Sequence, residues 1–320
     1  MKSKIFNVLF LMISMPVHAM EESNSKKEAF YSIILPGQNG GGGASFTKNN
    51  IVNTDHFTQY ETLENQLKID LGQGNCIQNF EKQLDNDEKV KDSKLLLYGI
   101  SQGTATLVNF LAKKSHTEQE EKIGCLFLEA VLGSGNNAIL HTIQSTMSPW
   151  ITSAPFARFW LPWVAKVFYP TYNPYGKQAF SSAKKISPNI PIVIMHNKGD
   201  TQLTINDARK LYCILSENNN NVYLFETNNR AKHFDILEGA QEKIIKIAAL
   251  QTIYKKHNLP YEEPTTEIDL ATYQPTIKNV QKIINNATQS DYYVRNTIDF
   301  IAASIVLPYL AYFYYNNPSI

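Results

Sequence analysis

Three residues could together break an acyl bond: Ser101, Asp200 and His233. The serine sits in Gly99-Ile100-Ser101-Gln102-Gly103, which matches G-x-S-x-G. The apolar run Leu95 to Tyr98 precedes it, and a helical stretch, Thr104 to Leu111, follows. A serine on so sharp a strand-to-helix turn is held up at the carboxyl end of a sheet. Side chains beside it would clash, and glycines at 99 and 103 remove them. A serine hydroxyl needs a base, and His233 follows the apolar run Val222 to Phe225. The base needs an orienting acid, and Asp200 follows Pro191 to Met195. All three stand just past a predicted strand, in the order Ser, Asp, His.

Those strands recur along the chain. Phe30–Leu35 reads as a buried strand ending in Pro36-Gly37. Lys68–Leu71 reads as another, with a helical stretch after it through Phe80 and Leu84. The pattern continues with strand Lys94–Tyr98, helix Thr104–Lys114 and strand Ile123–Leu132. Strand Pro191–Met195, helix Ile205–Glu217 and strand Asn221–Glu226 follow. Glu242–His257 reads as an amphipathic helix with Ile244, Ile247 and Ala248 on its apolar side. Alternation of this kind predicts an α/β fold, a mostly parallel sheet flanked by helices.

From Phe30 to His257 the sequence resembles the α/β-hydrolase superfamily. His196-Asn197-Lys198-Gly199-Asp200 resembles its H-G-x-x-D stretch, with Asn197 where glycine is usual. Lys232-His233-Phe234 resembles its G-H-F stretch, again without the glycine. The Ser-Gln pair of the elbow is also similar to the G-x-S-Q-G of cutinases and acyl-protein thioesterases. The resemblance implies a minimal core that lacks the family's first two strands, with a lid inserted at residues 136–187. It also implies Gln38 as an oxyanion-hole donor, from the loop where Pro36 replaces the usual histidine. Gln102, the residue after the nucleophile, supplies the other backbone N–H. No Lys-Ser/Thr pair follows Gly40–Gly43, so those glycines do not read as a phosphate cradle.

Other residues compete for these roles. Asp207 and Glu129 are the rival acids and His196 the rival base, whereas His56, His141 and His257 have no motif context and read as surface or packing residues. No His, Asp or Glu cluster has metal-ligand spacing, and the chemistry requires no cofactor. Residues 136–187 hold Trp150, Phe156, Trp160 and Trp163. These aromatics form either an acyl-binding lid face or a small core of the lid's own.

The 320 residues are 43% hydrophobic and 18% charged, with a net charge of +1, an ordinary globular balance. There is no basic excess for a nucleic-acid partner. Lys2 and Lys4, the apolar run Ile5–Val17 and the small residues up to Ala19 form a secretory signal pattern over residues 1–19. The expected product is secreted or periplasmic. Cys76, Cys125 and Cys213 are too few for a disulfide scaffold, and Cys125 and Cys213 sit in apolar or helical runs as small hydrophobes. The core is divided into 20–135 and 188–258, with a linker and helical extension at 259–320. Within that extension Thr276–Ala287 reads as an amphipathic helix. The uncharged run Phe300–Tyr315 is a helix docked on the core or a membrane contact; it is short for a span. Together these features predict an exported serine hydrolase with a small-molecule or lipid-like ester or thioester substrate. The alternatives are a peptidase on the same fold, a non-catalytic lipid- or protein-binding relative, and a membrane-attached protein.

Overall fold

A computed structural model describes residues 30–37, 56–61, 63, 68–115, 117–146, 165–228, 233–234, 236–237, 240 and 242–287. Among these, six strands form one sheet: β1 (Phe30–Leu35), β2 (Phe57–Gln59), β3 (Lys94–Ile100), β4 (Ile123–Glu129), β5 (Ile192–Asn197) and β6 (Val222–Thr227). Their order is β2-β1-β3-β4-β5-β6, and every pairing is parallel. Among the described residues the first strand of the sheet is Phe30–Leu35.

Parallel strands need helical crossovers, so both faces are covered, and β3, β4 and β5 are buried along almost their whole length. Successive side chains point to opposite faces. Ile33, Leu35, Leu97, Leu126 and Ile194 join one buried layer with α2 (Gln102–Lys114) and α6 (Ile205–Ser216), through Leu107, Val108, Leu111 and Leu211. Ile34, Leu96, Tyr98, Phe127, Val193 and Phe225 join the other with α7 (Lys243–Lys256), through Ala249, Leu250, Ile253 and Tyr254. Phe127 lies between Tyr98 and Tyr254, 6.0 and 5.7 Å from their ring centroids. All three cysteines are free and buried. Burial pushes the Cys76 thiol up to about 12 and Cys213 up to about 11, so neither behaves as a thiolate.

Three sequence expectations need correction. Lys68–Leu71 is not a strand. Leu71 (φ 54°) and Gly72 (φ 88°) turn the chain sharply, which no ladder accommodates. Asp70 instead accepts the N–H groups of Gln73 (2.9 Å) and Asn75 (2.5 Å), capping α1 (Gly74–Asn86). The strand next to β1 is Phe57–Gln59, three residues too short to show a period. Strand β4 ends at Glu129 rather than Leu132, because Ala130 adopts φ 52°. Helix α7 is not evenly amphipathic: Ile244 is 72% exposed and Ile245 51%.

The shorter helices are α3 (Glu118–Glu121) and α5 (Ala179–Ala183), and α4 (Gly135–Thr146) opens the proposed lid stretch. A last helix, α8, covers 277–287 and buries Val280 while leaving Ile283 47% exposed. No helix among the described residues is long and apolar enough to cross a membrane. Residues 1–19 and the run Phe300–Tyr315 lie outside the described residues.

Candidate active site

The site lies at the carboxyl end of the sheet, on the turns after β3, β5 and β6. Ser101 joins β3 to α2 with φ 53° and ψ −117°, a conformation costing about 1–3 kcal/mol for a residue with a side chain. Its surroundings hold it there. The Ser101 N–H donates to the Glu129 carbonyl (2.9 Å), and the Ser101 carbonyl accepts the N–H (3.0 Å) and hydroxyl (2.6 Å) of Thr104. A Cβ at Gly103 would stand 2.1 Å from the Leu35 carbonyl oxygen, and one at Gly99 would stand 2.9 Å from Gly103. Both glycines are therefore required by close backbone approach.

Asp200 is buried in the turn after β5. Its Oδ1 accepts the N–H groups of Gln202 (2.7 Å) and Leu203 (3.0 Å). Its Oδ2 lies 2.8 Å from Nδ1 of His233, whose Nε2 lies 2.9 Å from the Ser101 hydroxyl. A carboxylate can only accept, so Nδ1 carries the proton and Nε2 presents its lone pair to the serine. Asn197, in place of the usual glycine, is buried and accepts the Gly199 N–H through its side-chain oxygen (3.2 Å), shaping the same turn.

The architecture is that of an α/β-hydrolase core.

No protein-family model matches the sequence, and no curated protein matches it. Solved structures resemble it at low identity. An esterase from Pyrococcus furiosus aligns at 12% identity and a TM-score of 0.42, over 72% of this chain and 84% of that one. The esterase Est1E from Butyrivibrio proteoclasticus aligns at 12% and 0.44, over 74% and 91%. An acylaminoacyl peptidase from Pyrococcus horikoshii aligns at 13% and 0.43, over 78% of this chain but 40% of the peptidase. Likeness of this size leaves the reaction to be argued from the chain's own residues.

The rival groups have other hydrogen-bond partners, although His196 Nε2 also lies 3.7 Å from the Asp200 carboxylate. Asp207, in the first turn of α6, accepts the Ser134 N–H (3.3 Å) and the Asn137 amide (2.9 Å); burial pushes its carboxyl up to about 6. Glu129 accepts the Tyr98 hydroxyl and the Ile236 N–H (2.8 Å). His196 is fully buried on β5. Its Nδ1 accepts the Val131 N–H (3.0 Å) and its Nε2 donates to the Leu203 carbonyl (3.2 Å), which fixes a neutral ring; burial holds its pKa down to about 4. His257 bonds the Tyr223 hydroxyl (3.0 Å), and His56 stacks on Tyr31.

Sequence reasoning missed His141. From α4 its Nε2 donates to the Asp200 carbonyl (3.0 Å), and Thr142 beside it donates to the Gln202 carbonyl (3.3 Å). The helix that opens the 136–187 stretch is thus docked on the acid turn. A lone histidine without a motif carries no signal of this.

As the first residue of α2, Gln102 has a backbone N–H with no partner one turn back. Its buried side chain donates to the Cys76 sulfur (3.0 Å). Gln38 and the lid aromatics Trp150, Phe156, Trp160 and Trp163 lie outside the described residues. A Cβ at Gly37 would stand 3.1 Å from the Ser101 Cβ, so the chain at Gly37 passes directly beside Ser101. No group of three or more His, Cys, Asp or Glu among the described residues could hold a metal.

Proposed function

We propose that the protein is a serine hydrolase acting on carboxylic esters or thioesters. One observation carries the reading: His233 bridges the Ser101 hydroxyl (2.9 Å) and the buried Asp200 carboxylate (2.8 Å). Ser101 Oγ attacks the carbonyl carbon while His233 Nε2 takes its proton. The negative oxygen that develops is held by the Gln102 N–H and, from the loop after Gly37, by that of Gln38. The intermediate collapses, breaking the C–O or C–S bond, and His233 returns the proton to the leaving group. Water then attacks the acyl-enzyme, giving its proton to His233, and the acid and free Ser101 are released. Asp200 keeps the imidazole in one tautomer and stabilises its charged form.

The aromatics of 136–187 would receive a lipid-like acyl group. Residues 1–19 would direct export, and Phe300–Tyr315 would supply a membrane contact. Labelling the mature protein with a fluorophosphonate, followed by peptide mapping, tests the reading. Modification at Ser101 that is lost in His233→Ala supports it. A folded protein that stays unlabelled would mean a hydrolase fold that only binds. An ester panel set against a peptide panel separates esterase from peptidase.

A further inference from the structure

Glu129 is a glutamate with 1% exposure at the end of the central strand β4. No step of the proposed reaction uses it. Yet it touches both halves of the site. Its backbone carbonyl accepts the Ser101 N–H at 2.9 Å, and its carboxylate Oε1 accepts the Ile236 N–H at 2.8 Å. Ile236 lies three residues after His233, and it is fully buried.

Topology says why such a tether is needed. His233 departs from β6, at the sheet edge, but must reach Ser101 after β3, three strands away. At the usual strand spacing that is roughly 14 Å across the ends of β5 and β4. The end of β4 lies between the nucleophile and acid strands, so an acceptor there holds the loop where the imidazole must stand. The next three residues donate their backbone N–H groups to neighbouring elements. Ala130 donates to the Met195 carbonyl (3.0 Å), Val131 to His196 (3.0 Å) and Leu132 to the Thr104 hydroxyl (2.9 Å). Residues 129–132 therefore bond to the Ser101 turn and the helix after it, to strand β5 and to Ile236 beyond His233.

We propose that Glu129 is a positioning residue, whose carboxylate pins the His233 loop at Ile236 while its carbonyl pins the Ser101 turn. The buried carboxylate gives a strong, directed acceptor that an apolar residue could not replace. Tyr98, whose hydroxyl donates to the other carboxylate oxygen, orients it.

The inference rests on the serine-hydrolase reading, and the two can fail separately. Ser101 labelling of the wild type tests the reading. Glu129→Asp keeps the carboxyl group but withdraws the oxygen by about 1.5 Å, and a misplacement of that size should lower kcat about 100-fold with KM little changed. Glu129→Ala should do at least as much. Glu129→Gln keeps an acceptor oxygen at the same reach and should recover kcat to within about tenfold of wild type. Folded Asp and Ala variants with wild-type kcat would overturn the proposal, as would a Gln variant no better than Asp. If Ala does not fold, Asp carries the comparison. Deuterium exchange at the Ile236 amide reads the tether without turnover: it should accelerate in Glu129→Asp, and unchanged exchange overturns the tether even with no substrate in hand.

Discussion

Val131 donates its backbone N–H to Nδ1 of His196 across 3.0 Å, and that bond requires a neutral imidazole. Burial holds the ring's pKa down to about 4. In the unfolded chain it titrates near 6.5. Between these values the unfolded state binds more protons than the native one, so stability present at neutral pH is lost as pH falls through that window. The full gap corresponds to at most about 3 kcal/mol. His196→Gln removes the titration. Its thermal midpoint should therefore fall less between pH 7 and pH 4.5 than that of the wild type, whatever its starting value. An equal fall in both proteins would show that His196 does not titrate as argued.

Asp207 works in the opposite sense. Burial raises its carboxyl to about 6, above the ordinary value of 3.8. From 6 down to 3.8 the native state takes up protons first, so this group favours the fold increasingly as pH falls. Asp207→Asn keeps an acceptor for the Ser134 N–H but abolishes that gain. Thermal scans should show the variant losing more stability than wild type on acidification from pH 7 to pH 4. A parallel pH dependence would refute the assignment.

Gly103→Ala should be among the most damaging single-atom-group additions. The new Cβ would meet the Leu35 carbonyl oxygen at 2.1 Å, backbone against backbone, with no side chain able to yield. Overpacking of that kind costs about 3 kcal/mol or more, and moving β1 away would also disturb the loop beside Ser101. Loss of soluble protein or a large drop in thermal midpoint is expected. A variant with wild-type stability would mean that α2 can slide freely at its first turn.

The sequence made the catalytic candidates legible because strained turns and strand ends demand particular residues. Gly99, Gly103 and the placement of Asp200 and His233 after apolar runs could each be read one residue at a time. The long buried strands were equally plain, since burial on both faces leaves continuous apolar runs such as Leu95–Tyr98. Asp70 shows where that logic stops. A short apolar flank around it resembles a strand, but its carboxylate is worth more as a helix cap. Strand β2 is too short for any period to emerge. The contacts of Glu129 and His141 were unreadable for a different reason. They bond backbone groups 107 and 59 positions away in the chain, and no local pattern encodes such a partner.

Asp200→Asn separates orientation from architecture. Its Oδ1 contacts with the N–H groups of Gln202 and Leu203 can be kept by an amide oxygen, so the turn and the fold should survive. The amide nitrogen would then face His233 Nδ1 as a donor, favouring the wrong tautomer and leaving Nε2 protonated toward Ser101. By analogy with the serine-protease triad, turnover should fall by up to about 10⁴-fold with a nearly unchanged thermal midpoint. Ester hydrolysis and the rate of Ser101 labelling should decline together, because both depend on the same deprotonated Nε2. A loss smaller than about tenfold would remove Asp200 from the mechanism and leave His233 without a proven orienting acid.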